Sequence, residues 1–238
     1  MFLIPSCITV TAIFCGFLAI ISAFNGRFEY AAKCIVLAII LDGLDGRVAR
    51  RLNATSDFGR EFDSLSDVIS FGVAPAALMY VWAFKSGPDE FGVLVAFFFV
   101  VCGATRLARF NITTSDEPAG HFQGLPTPGA AAAVAAIVYF HPDPVSGGTA
   151  AGLMLAYLTV LGGLMVSTLP FFSVKKIRLT PANLRTTLLL ISALVALAWY
   201  HNRLMLLVLA GMYISSGPLA YLLKKFAPGL SRKFEGAL

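Results

Sequence analysis

Charge is what this sequence has least of: only 13% of its 238 residues are Asp, Glu, Lys or Arg, against about 25% in an average soluble domain. With 58% hydrophobic residues and a mean hydropathy of +0.79, there is too little polar surface to coat a water-soluble globule. That excludes an ordinary soluble enzyme, a disordered chain and a nucleic-acid binder with a basic face, despite the net charge of +5. Soft metal ligands are scarce as well. The four cysteines, Cys7, Cys15, Cys34 and Cys102, sit in apolar runs without CxxC spacing or a neighbouring histidine, and read as small hydrophobes. The first apolar run lacks a basic stretch ahead of it, so no cleavable signal peptide is expected. No internal repeat is visible, and a single domain over 1–238 is expected.

Apolar runs are abundant. Eight reach roughly the length of a transmembrane helix: 7–24, 30–50, 61–83, 91–110, 126–141, 150–170, 185–201 and 204–223. The fifth is short and rich in alanine. With a cytoplasmic N-terminus, only Arg27, Lys33, Lys85 and Arg203 of the 18 Lys and Arg fall outside. The rest, including the basic loop Lys175, Lys176 and Arg178, fall inside, as the positive-inside rule requires. The pattern predicts an all-α, polytopic membrane bundle of about eight transmembrane helices with both termini cytoplasmic. Phe97-Phe98-Phe99 is expected to face lipid or a neighbouring helix, and the tail 231–235 to lie on the surface. His141 and His201 fall in outer loops, and His121 in a loop rich in Gly and Pro.

Against this background the acids are conspicuous. Of 13 in the chain, Asp42, Asp45, Asp57, Glu61, Asp63 and Asp67 crowd into one window that ends one apolar helix and begins the next. A carboxylate at mid-span costs about 2.5–3.5 kcal/mol even on the lenient scale. Asp42, Asp45, Gly46, Ala49 and Arg50 share one helical face, and Gly59, Asp63 and Asp67 share another. A tight loop between the two helices makes them antiparallel neighbours whose acidic faces converge near the inner boundary. Four carboxylates without His or Cys form a hard, all-oxygen site suited to Mg²⁺, Mn²⁺ or Ca²⁺. The glycines leave room for a phosphate, and Arg50 supplies a cation for it. The alternative is a charged hairpin whose acids pair with Arg47, Arg50, Arg51 and Arg60.

The pattern Asp42-x2-Asp45-Gly46-x2-Ala49-Arg50-x8-Gly59-x3-Asp63-x3-Asp67 also resembles, position for position, the signature of the CDP-alcohol phosphatidyltransferases. The resemblance implies an integral membrane enzyme, often dimeric, with a six-helix core and two divalent cations. Such an enzyme moves a phosphatidyl group from CDP-diacylglycerol to an alcohol and releases CMP. It implies that Asp42 and Asp63 bridge both cations (Mg²⁺ or Mn²⁺, with Ca²⁺ a further occupant). Asp45 would complete one cation's shell and Asp67 the other's, with Asp67 also the general base. Gly46, Arg50 and the Ser56 hydroxyl match positions that hold the nucleotide. Ala49, Gly59 and Thr9 are the remaining CDP-diacylglycerol contacts it suggests.

Stretches outside the signature resemble a bacterial, membrane-integrated branch of the family whose acceptor is serine. They are Ile4-Pro5, Thr9, Phe14-Cys15-Gly16, Ser70-Phe71-Gly72-Val73-Ala74-Pro75, Arg106-Leu107-Ala108-Arg109-Phe110-Asn111 and Phe122-Gln123-Gly124-Leu125-Pro126-Thr127-Pro128. The resemblance spans roughly 4–135 and departs at Pro5-Ser6, where the branch has Pro-Asn. It implies L-serine as substrate and an inner-membrane site facing the cytoplasm. Arg106, Arg109 and Asn111 are candidates for serine's carboxylate or the lipid phosphate; Arg109 reads equally as an interfacial anchor, whereas Arg106 sits deeper and fits a ligand role better than anchoring. Glycerol phosphate, inositol phosphate and choline remain alternative acceptors. A divalent-cation transporter is the rival outside enzymes, although it would place its acids nearer the midplane.

Overall fold

The computed structural model describes residues 3–51, 56–85, 89–113, 122–171 and 202–226. The expected span 185–201, the basic loop at Lys175, Lys176 and Arg178, His121, His201 and the tail 231–235 lie outside the described residues.

The described chain is a helical bundle. Its helices are α1 (Leu3–Phe24), α2 (Phe28–Arg51), α3 (Asp57–Asp67), α4 (Ala74–Met79), α5 (Asp89–Thr113), α6 (Thr127–Phe140), α7 (Gly148–Val166) and α8 (Asn202–Phe226). Among the described residues, five stretches are long and apolar enough to cross a membrane: Ser6–Phe24, Asp57–Phe84, Glu90–Ile112, Gly148–Val166 and Arg203–Tyr221. In α2 the charges, Asp42 and Asp45 among them, interrupt the apolar run; α6 is apolar but has only 14 residues. One departure from the all-α expectation is a two-residue antiparallel pairing of β1 (Phe122–Gln123) with β2 (Pro170–Phe171). It forms where the chain enters α6 and leaves α7. There Gly124, at φ 81°, donates its N–H to the Leu169 carbonyl (2.9 Å), and Leu125 donates to that of Leu164 (2.9 Å). A side chain on Gly124 would run into the Met165 carbonyl oxygen, so both the turn and the close approach need glycine.

Small residues set the packing. Ala19, Ala23, Ala31, Ala32 and Ala38 are wholly buried between α1 and α2, allowing two backbones to approach closely where lipid offers no hydrophobic drive. Helix α6 buries Ala130, Ala131, Ala133, Ala135 and Ala136 and packs on α2, α7 and α8, so it forms the interior post of the bundle. Large apolar side chains point outward instead: Phe14, Phe17, Phe91, Leu94, Leu153 and Met212 are all exposed. Of the three phenylalanines, Phe97 and Phe98 are exposed and Phe99 is buried.

Residues 57–84 form one continuous rod with two π-helical turns, Val68–Val73 and Tyr80–Phe84. Pro75 accounts for the first. Lacking an N–H and clashing with the carbonyl one turn back, proline widens the helix, and the Ala74 N–H reaches back five residues to the Ile69 carbonyl. The rod crosses α1 at Gly16, where Ser70 donates its hydroxyl to the Ala12 carbonyl at 3.2 Å. Glu29, Lys33, Tyr139 and Arg203 meet at the end of the bundle away from the carboxylates. Lys33 and Arg203 pair with Glu29 at 2.7 and 2.9 Å, and both cations lie over the Tyr139 ring. Two of the expected outer cations, Lys33 and Arg203, therefore share one end.

Candidate active site

Helix α3 begins at Ser56, which caps it by accepting the Gly59 N–H at 3.0 Å; Asp57 in the first turn suits the positive end of the helix dipole. Gly59 lets the capping oxygen come close, since a β-carbon there would lie 3.1 Å from it. The helix is two-faced: Phe58 and Leu65 are exposed, whereas Asp63 and Asp67 point inward. Because the π-turn starts only at Val68, the regular α spacing through Asp67 keeps both acids on one side.

The two acidic faces converge. Oxygen atoms of Asp42, from α2, and of Asp63 and Asp67, from α3, all lie within 4.8 Å of one another. Asp42 is also within hydrogen-bond reach of Asp67. Helix α2 meets the rod chiefly through residues 68–79. The basic residue of α3 is engaged elsewhere: Arg60 is taken up by Asp57 (3.0 Å) and Glu61 (3.8 Å), both exposed. Asp67 keeps a buried Oδ1 without a partner among the described residues. Three mutually repelling carboxylates with an orphaned oxygen are the donor set that a hard divalent cation satisfies.

Asp45 stands outside this trio. It is buried, and Thr9 of α1 donates its hydroxyl to Asp45 Oδ2 at 2.9 Å. Thr9, expected at the nucleotide, is itself buried and touches the site through Asp45. Gly46 is half-buried on the same helix; Ala49 and Arg50 belong to α2, but their side chains lie outside the described residues.

The three candidates on α5 separate. Arg109 donates to the Val166 carbonyl at the end of α7 (3.2 Å), and Asn111 donates to Ser64 Oγ on α3 (3.0 Å), so both tie helix ends together. Arg106 alone turns inward. It is 7% exposed, its Nε has no partner among the described residues, and it lies within electrostatic range of Asp67 and of Tyr213 on α8. Thr127, at the first residue of α6, is 2% exposed, and its hydroxyl has no partner among the described residues. In the sequence Thr127 belongs to the stretch 122–128 but carries no signal of its own, and Tyr213 lies beyond the resemblance altogether. His141 is far from all of this, exposed beside Asp143 at 3.8 Å.

A membrane helix bundle with a hard carboxylate trio at one end, an inward arginine beside it and no soft ligand in the trio has the makings of an enzyme for phosphorylated lipid. The sequence gives the class its family: the profile of the CDP-alcohol phosphatidyltransferases matches residues 2–169, and the chain belongs to that family. Among its relatives is a protein of Helicobacter pylori named CDP-diacylglycerol–serine O-phosphatidyltransferase, 38% identical over 224 residues, covering 93% of this chain and 92% of the relative. Proteins of the same name from Bacillus subtilis (40% over 174 residues; 73% and 92%) and Mycobacterium tuberculosis (36% over 202 residues; 82% and 70%) are similar too.

Proposed function

We propose that this chain transfers the phosphatidyl group of CDP-diacylglycerol to L-serine, giving phosphatidylserine and CMP. The observation that carries the reading is the convergence of Asp42, Asp63 and Asp67 within 4.8 Å, in a chain whose relatives bear the name of that reaction. The reading extends to a single domain over 1–238 with about eight transmembrane helices. Both termini and the carboxylate end face the cytoplasm, in a bacterial inner membrane, and two copies associate.

In this reading Asp42, Asp45, Asp63 and Asp67 hold two divalent cations, Mg²⁺ or Mn²⁺. When bound, such cations neutralise charge on the pyrophosphate and the departing phosphate. The chain's own groups do the rest. Gly46, Ala49, Arg50, Ser56 and Gly59 line the path of the cytidine and its phosphates. Thr9 fixes the Asp45 carboxylate. Asp67, with its unpartnered oxygen, takes the proton of the serine hydroxyl, which is too weakly acidic to ionise at neutral pH. The serine oxygen bonds to the phosphorus that bears diacylglycerol, and the bond from that phosphorus to CMP breaks. Arg106 faces Asp67 and holds the acceptor close to this base, while Arg109 and Asn111 fix the helix ends around it.

The test is CMP release by membranes bearing the chain, given CDP-diacylglycerol and labelled L-serine with and without Mg²⁺ or Mn²⁺. Cation-dependent CMP release with label entering lipid is expected. Release with glycerol phosphate, inositol phosphate or choline but not with serine would overturn the acceptor, and no release with any of them would overturn the activity.

A further inference from the structure

Three buried side-chain atoms lack hydrogen-bond partners among the described residues: Asp67 Oδ1, Arg106 Nε and Thr127 Oγ1. A buried polar atom left unpaired keeps its full desolvation penalty, so three at one end of a bundle mark a place that a polar ligand completes. Their positions are connected. Thr127 packs its methyl 3.6 Å from the β-position of Gly103, one turn before Arg106 on α5. Tyr213 lays its ring against Gly129, two residues after Thr127, where a β-carbon would come within 2.7 Å of the ring edge. The same tyrosine lies within electrostatic range of Arg106, which lies within range of Asp67. Gly129 is what lets the ring approach so closely.

The geometry points to an acceptor pocket at the junction of α5, α6 and α8, in which Arg106, the Thr127 hydroxyl and the Tyr213 phenol together hold a small carboxylate. Arg106 supplies the charge, and Thr127 and Tyr213 supply donors that decide which acid fits. Tyr213 lies on α8, beyond residues 2–169 that the family profile covers, so a helix outside the shared core shapes acceptor choice. Recognition through buried donors is selective, because an acceptor lacking the carboxylate leaves them unpaired. The inference rests on the proposed transfer to serine and deepens it by naming what reads the acceptor.

The experiment compares Thr127→Val, Thr127→Ser and Tyr213→Phe with the unaltered full-length chain in detergent, measuring KM for L-serine and for CDP-diacylglycerol by CMP release. Thr127→Val and Tyr213→Phe should raise the serine KM on the order of ten- to a hundredfold, as a lost hydrogen bond to a charged group implies. The KM for CDP-diacylglycerol should stay within about twofold, a split that a merely structural role would not produce. Thr127→Ser keeps the hydroxyl and should restore most of the serine KM. An unchanged serine KM, an equal rise for both substrates, a rise for CDP-diacylglycerol alone, or no rescue by Thr127→Ser overturns the pocket. Failure of the unaltered chain to use serine would instead overturn the proposed function, and is read in the same assay before any variant.

Discussion

Alanine at Gly16 tests whether the contact between α1 and the 57–84 rod is what keeps Thr9 on Asp45. A β-carbon on Gly16 would lie 2.8 Å from Ser70 Oγ, 2.9 Å from Ser70 Cα and 3.1 Å from Ser70 Cβ. Ordinary carbon contacts begin near ~3.5 Å, so the two backbones must part by about half an ångström or more. Ser70 cannot swing aside, because its Cα is backbone and its hydroxyl is bonded to Ala12. Overpacking of this kind costs about 1–3 kcal/mol. Thr9 lies about two turns before Gly16 on the same rigid helix, so displacement of α1 reaches the 2.9 Å Thr9–Asp45 bond. Since misplacing a site by ~1 Å costs as much as about a hundredfold in rate, a fall of roughly ten- to a hundredfold in kcat/KM is expected. It should come with a lower thermal midpoint in detergent. Adding Ser70→Ala removes the 2.8 Å contact but leaves the one to Cα, so recovery should be partial. Gly72→Ala, whose β-carbon meets nothing within 4 Å, is the control and should be silent. Gly16→Ala with full activity and an unchanged midpoint refutes the packing argument. Loss of activity in Gly16→Ala while Thr9→Val retains it refutes the route through Asp45.

Three further outcomes are expected. Asp63→Asn should abolish CMP release and weaken cation binding, measured by calorimetry, while the protein still inserts; normal turnover would remove the two-cation reading. Asp67→Asn keeps an oxygen ligand but loses the base, so nucleotide binding should persist while turnover drops by about 10²–10⁴-fold; joint collapse of both would make Asp67 structural. Arg106→Lys replaces a planar fork by a point charge and should raise the serine KM far more than that for CDP-diacylglycerol, whereas equal losses would assign Arg106 to the lipid phosphate or to folding.

The carboxylates were legible in the sequence because two physical signals coincide on them. Acids inside apolar runs are costly, and the spacing of Asp63 and Asp67 is that of an unbroken α-helix. Structure adds what periodicity cannot carry. Asp45 shares a face with Asp42, yet a hydroxyl from α1, 36 residues away, holds it apart from the trio. Arg106, Arg109 and Asn111 look alike as polar residues at a helix end, but α3 and α7 take up two of them and leave one facing the site. The alanine-rich fifth run reads as a weak span by length, because hydropathy reports affinity for lipid and not whether lipid is the neighbour; α6 is buried by other helices. Tyr213 carried no local signal, since its place depends on the close approach of α8 to Gly129.

The brevity of α6 has a dimensional consequence. Fourteen residues rise only ~21 Å, well short of the ~30 Å hydrocarbon thickness of a bilayer. The post at the centre of the bundle is therefore too short to cross the hydrocarbon by itself, and the non-helical chain at its two ends, 124–126 and 141–147, has to supply the missing depth. A bilayer thinned to the length of this helix would relieve that demand, so membrane thickness becomes a variable that acts on these two connections.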